Sequence, residues 1–128
     1  MYIIGDIGNT EVKICLLSKS KKIIKKTILQ TKLINSKYLI ENLSFYTKKQ
    51  VVIRKVIFSS VVPRVYNLIK YFFFQKLRIK SLEVKSINLN KLIKISVNRK
   101  QIGSDRLCNA IGITDNTNNY IVVDFGTA

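Results

Sequence analysis

Histidine and tryptophan are absent from these 128 residues, there is one proline, and acidic side chains number seven against 23 lysines and arginines. Without histidine, Ser-His-Asp and Cys-His nucleophilic catalysis is excluded within this stretch, so any proton transfer falls to a carboxylate, a lysine or a tyrosine. The two cysteines, Cys15 and Cys108, form no C-x-x-C pair and have no histidine with which to complete a mixed metal site. They read as core thiols in a reducing compartment. With only five glycines, one proline and 47% hydrophobic residues, the composition excludes a disordered chain and fits one packed domain. No run approaches the roughly 18 apolar residues needed to cross a bilayer. Asp6 also interrupts what would be the apolar part of a signal peptide, so a cytoplasmic protein without membrane contact is the expectation.

The shortage of acids leaves a net charge of +16, which would attract nucleic acid through counterion release. The lysines are scattered through nearly every segment instead of forming a stripe with interleaved aromatics, so they read mainly as a solvated surface. A basic nucleic-acid-binding module stays as a low-ranked rival. Where acids are retained, their placement is informative: Asp6, Asp105 and Asp124 all stand at motif positions.

Two stretches organise the chain, YIIGDIGNT over residues 2–10 and YIVVDFGTA over residues 120–128. In each, an apolar run rich in β-branched residues reads as a buried strand that ends in Asp-x-Gly. The aspartate would project a carboxylate from the strand end, and the glycine would allow φ > 0 and close approach of a ligand to the backbone. Asn9, Thr10 and Thr127, with the turn N–H groups, could bind phosphate oxygens while the carboxylate holds a hydrated metal. Taken singly, either copy reads as an ordinary hairpin turn. As a pair they read as a duplicated half-unit, with residues 1–115 as a first domain and 116–128 as the linker and opening strand of a truncated second.

Between them, Glu11 to Leu17 alternates as a strand paired back on the first, and Ile23 to Gln30 reads as a third strand. Ser36 would cap a helix to about Lys48, with Leu39, Ile40, Leu43 and Tyr46 facing inward. Lys55 to Ser60 reads as a buried strand, and Pro63 suits the first position of a helix with the stripe Val65, Leu68, Ile69, Phe72 and Phe73. Tyr71 and Phe74 would spill onto an interface. A strand over Leu82 to Ile87, a loop with room for a short strand over Asn88 to Asn98, and a helix to about Ile113 complete the pattern. In that helix Ser104 would be the cap, Asp105 would lie in the first turn, and Leu107, Ala110 and Ile111 would face inward. On its own, Asp105 reads as a complement to the helix dipole and Arg106 as a surface cation.

The order DIGNT at 6–10, SSVVP at 59–63, GSDR at 103–106 and DFGTA at 124–128 resembles type III pantothenate kinase. The resemblance implies an α/β fold of the ribonuclease-H-like, actin-like ATPase kind, with a mixed sheet flanked by helices, repeated in a second domain. It also implies ATP-dependent phosphorylation of pantothenate to 4'-phosphopantothenate, at the entry to coenzyme A synthesis. Carried over by position, Asp6, Ile7, Gly8, Asn9, Thr10, Glu11, Val12, Lys13 and Thr127 would bind ATP, with Asp6 near Mg2+. Gly103, Ser104, Asp105 and Arg106 would bind pantothenate, Asp105 being the base, and Asp124 would coordinate a monovalent cation, K+ or NH4+. A homodimer is implied for the full-length protein, and residues 1–128 alone would be inactive. The family often has an aromatic residue and Asn-Pro ahead of G-x-D-R, whereas this chain keeps Asn98 but has Ser96 and Arg99, a departure that leaves room for a non-catalytic homologue.

Overall fold

A computed structural model describes residues 1–98, 101–115 and 117–123. Alternating apolar residues build three antiparallel strands in sequence: β1 (Tyr2–Ile7), β2 (Glu11–Leu17) and β3 (Ile23–Gln30). The chain then crosses to the other side of β1, where β4 (Lys55–Ser60) pairs parallel with it and β5 (Ser81–Glu83) pairs parallel with β4. The result is a five-stranded mixed sheet in the order β3-β2-β1-β4-β5, with β1 at its centre.

Because strand side chains alternate, Ile3 and Ile7, Val12, Ile14 and Leu16, and Val56 and Phe58 all fall on one face and are buried. Helices α1 (Ser36–Leu43) and α2 (Pro63–Leu77) contribute Leu39, Leu43, Ile69, Phe72 and Phe73 to the core on that face. Each such fully buried Leu, Ile or Phe stabilises the fold by roughly 1.5–3 kcal/mol. Tyr71 and Phe74 are exposed. A smaller core of Val84, Leu89 and Leu107 lies beside Ile57 and joins α3 (Ser104–Ile113) to the loop after β5. The opposite face of β1, β2 and β3 is left open beside α3.

Several local expectations need correction. Asn35 caps α1 instead of Ser36, its side chain accepting from the Tyr38 N–H at 3.0 Å. The helix tightens into a 3-10 turn over Ser44–Thr47, where the buried Tyr46 hydroxyl lies 3.0 Å from the Ile14 carbonyl and 2.8 Å from Thr27 Oγ1. Those tertiary bonds set the path of the last turn, and Ile40 is half exposed, not inward. The strand expected over Leu82 to Ile87 stops at Glu83 and becomes a 3-10 turn over Val84–Ser86. The Glu83 carboxylate accepts from the Lys85 N–H, and its carbonyl accepts from Ser86 Oγ, a local network that replaces the ladder. Gly103, without a side-chain cap, precedes α3, so Ser104 is the first helical residue. Among the described residues, 120–123 pair with no strand, and Ile121 is 93% exposed. Asp124, Thr127 and Arg99 lie outside the described residues.

Candidate functional site

The turn joining β1 to β2 closes with the Gly8 N–H donating to the Glu11 carbonyl at 3.0 Å. Contrary to expectation, Gly8 does not use a positive φ. Its value is space, because a Cβ there would stand 3.3 Å from the Glu11 carbonyl oxygen. Thr31, just beyond β3, braces the turn from below: its Oγ1 donates to the Gly8 carbonyl at 2.8 Å, and its N–H donates to the Thr10 carbonyl at 2.9 Å. Asn9, Thr10 and Glu11 are exposed at the tip. Ile7 and Val12 point into the core and are wholly buried, backbone included.

On the open face, register places Asp6 between Lys13 of β2 and Ser59 of β4. These three residues line a cleft of about 660 Å3 together with Asp105, Cys108 and Asn109 of α3 and with Cys15 and Lys26 from the sheet. Two carboxylates far apart in sequence, Asp6 and Asp105, thus border one cavity. The Lys13 ammonium lies 3.8 Å from Glu11, both side chains being about half exposed. An ion pair of that kind contributes little, at most about 1 kcal/mol, and leaves the lysine able to meet an anion.

Asp105 is partly buried at the first turn of α3. Its Oδ1 accepts from the Arg106 N–H at 2.8 Å, and it folds back so closely over Gly103 that a Cβ at residue 103 would stand 2.1 Å from Oδ1. A larger residue here would have to displace that carboxylate. On its far side Asp105 borders a second hollow of about 610 Å3, shared with Arg106, Asn109, Ala110 and Tyr120. Ala110 therefore faces this hollow, where the helical spacing predicts a core position. Ser104, by contrast, is fully buried and bonded within the protein, so its hydroxyl is withdrawn from either hollow.

Burial pushes the Cys108 thiol above its ordinary range; the Ser59 hydroxyl opposes this, and the carboxylates of Asp6, Glu83 and Asp105 add to the rise. The Ser59 hydroxyl is itself buried without a conventional hydrogen-bond partner, the soft thiol being its polar neighbour. Lys26, Ser59, Cys108, Asn109, Thr31 and Glu83 were not singled out as site residues in the sequence. Sheet register places Lys26 and Ser59 on the face that carries Asp6, and Ser59 also opens the SSVVP motif.

Among the described residues, no group of three His, Cys, Asp or Glu side chains could cage a metal. Asp6, exposed in the cleft, suits a hydrated Mg2+ that takes its remaining ligands from water and phosphate.

The family model for type III pantothenate kinase matches residues 2–128. A type III pantothenate kinase of Pelagibacter ubique (strain HTCC1062) is 55% identical over 128 residues, covering all of this chain and 52% of that protein. One from Thermosipho africanus (strain TCF52B) is 28% identical over 129 residues, covering 100% of this chain and 51% of that protein. The chain spans about half the length of these curated relatives. With its whole length matched and the aspartates of two of its motifs gathered at one cleft, the chain belongs to the type III pantothenate kinase family.

Proposed function

We propose that the full-length protein transfers the γ-phosphoryl group of ATP to the primary hydroxyl of pantothenate, giving 4'-phosphopantothenate. The observation that carries this reading is the position of Asp105 on the border of two hollows, one holding Asp6 and Lys13, the other holding Arg106. The nucleotide phosphates lie along the β1–β2 turn, with Lys13 and the turn N–H groups as donors. Pantothenate lies against α3, its carboxylate paired with Arg106. Asp105, between them, accepts the hydroxyl proton as the oxygen attacks. Phosphoryl transfer asks mainly for alignment and charge neutralisation, so one base and a phosphate clamp suffice. Asp6 would hold Mg2+ through water, and the bound ion would supply charge neutralisation on the phosphates.

Three further parts of this reading rest on the family resemblance. Asp124 and Thr127 serve a monovalent cation and ATP, the full-length protein is a homodimer, and residues 116–128 open a second domain. The ribonuclease-H-like description of residues 1–115 is supported by three antiparallel strands followed by two parallel ones, with helices on both faces.

The test is pantothenate-dependent ADP formation by the full-length protein with Mg2+, with and without K+, beside the variant Asp105→Asn. Loss of a general base lowers kcat by about 10²- to 10⁴-fold. K+-stimulated turnover that falls by that much in the variant is the expected result. A folded full-length dimer without turnover would overturn the reading in favour of a non-catalytic homologue.

A further inference from the structure

One partly buried polar cluster beside the cleft has no part in the chemistry just described. Ser104 Oγ, with no exposure, donates to Glu83 Oε1 and lies 3.3 Å from the Ser60 carbonyl oxygen. A hydroxyl has one proton, and the charged acceptor makes the stronger bond with it. Glu83 is the last residue of β5 and is itself held, Oε2 accepting from the Lys85 N–H at 2.8 Å and its carbonyl from Ser86 Oγ at 2.6 Å. The carboxylate is thus immobilised on the sheet before it reaches α3.

That contact falls one residue ahead of Asp105. Helix α3 has no side-chain cap at its start, and among the described residues the Asp105 side chain bonds to the next residue's N–H alone. Among the described residues, the Ser104 hydroxyl is the side-chain hydrogen bond that joins the first turn of α3 to the sheet. A shift of this turn moves Asp105 relative to Asp6, because β4 and β1 are paired directly.

We propose that Glu83 is a positioning residue that acts through Ser104 to set how far Asp105 reaches between the two hollows. This role rests on the kinase reading. It does not require Glu83 to touch either substrate.

The experiment compares Glu83→Gln, Glu83→Ala, Ser104→Ala and the double variant Glu83→Ala/Ser104→Ala in the full-length protein. Glu83→Ala and Ser104→Ala are expected to lower kcat about 10- to 100-fold, the scale of a base misplaced by about 1 Å. The KM for ATP should stay within about twofold, because the β1–β2 turn is untouched. Glu83→Gln, which keeps an acceptor for Ser104, recovers most of the loss. The double variant is no worse than the poorer single one, since both changes remove one device. Amide hydrogen exchange at residues 104–107 should quicken in step with the loss of kcat.

Unchanged kcat in Glu83→Ala and Ser104→Ala, or losses that multiply in the double variant, would overturn the role. So would a fall in kcat matched by a rise in the ATP KM and a lowered melting temperature, the mark of general destabilisation. Ser104→Ala deletes a single buried oxygen and decides the question if Glu83→Ala does not fold. A parent protein without pantothenate-dependent turnover would overturn the kinase reading and this role with it. An active parent that these variants match would overturn this role alone.

Discussion

Gly5 faces Phe58 across the β1–β4 pair, and a Cβ there would stand 2.4 and 2.6 Å from two ring atoms and 2.9 Å from the Lys13 carbonyl oxygen. The ring cannot yield freely, since it is fully buried and stacks on Phe73 with centroids 6.0 Å apart. Gly5→Ala should therefore cost about 1–3 kcal/mol through overpacking, read as a lowered urea midpoint at unchanged slope. Gly103→Ala strikes the Asp105 carboxylate instead and should reduce turnover more than stability. Cys108 offers a pH test. Its raised pKa keeps the neutral thiol favoured in the fold, a contribution present below the ordinary thiol value of about 8.5 and lost as pH rises through the folded value. Alkylation by iodoacetamide near neutral pH should run slower than for a free cysteine and rise only at more alkaline pH. A rate equal to that of the free amino acid would contradict the burial argument.

Among the elements, the β1–β2 turn depends on a residue with no local signal. Thr31→Val keeps the shape but leaves the Gly8 carbonyl without its side-chain donor. The expected loss is about 1–3 kcal/mol of stability, with weakened nucleotide binding measured by calorimetry. Helix α2 ends with Arg78 in the left-handed region, φ 58°, a position that favours glycine. Arg78→Gly should stabilise the fold by up to about 1 kcal/mol, seen as a higher melting temperature. The first four strands were legible because alternation and turn residues are local properties. The end of β5 and the last turn of α1 were not, because Glu83 and Tyr46 set them through bonds that alternation cannot encode. Asp6 and Asp105 were legible only because motifs carry them. Lys26 and Ser59 reach the cleft through register, which depends on which strands become neighbours.

At the scale of the whole molecule, these 128 residues gather Asp6, Lys13 and Asp105 at one cleft and place Arg106 at the hollow beyond Asp105. Purified residues 1–128 should show no pantothenate-dependent ADP formation, and substantial turnover would refute this. The position of β1 at the centre of the sheet bears on the order of assembly during synthesis. Its pairing with β2 and the β2–β3 pairing are short-range and can form while the rest of the chain is still emerging, whereas its pairing with β4 awaits some fifty further residues, and α3 comes later still. Asp6 is thus displayed on a nascent hairpin well before Asp105 exists to face it. On the proposed reading, a ribosome stalled between β3 and α3 would hold the nucleotide-binding turn without Asp105 opposite it, so phosphoryl transfer to pantothenate would await the emergence of α3.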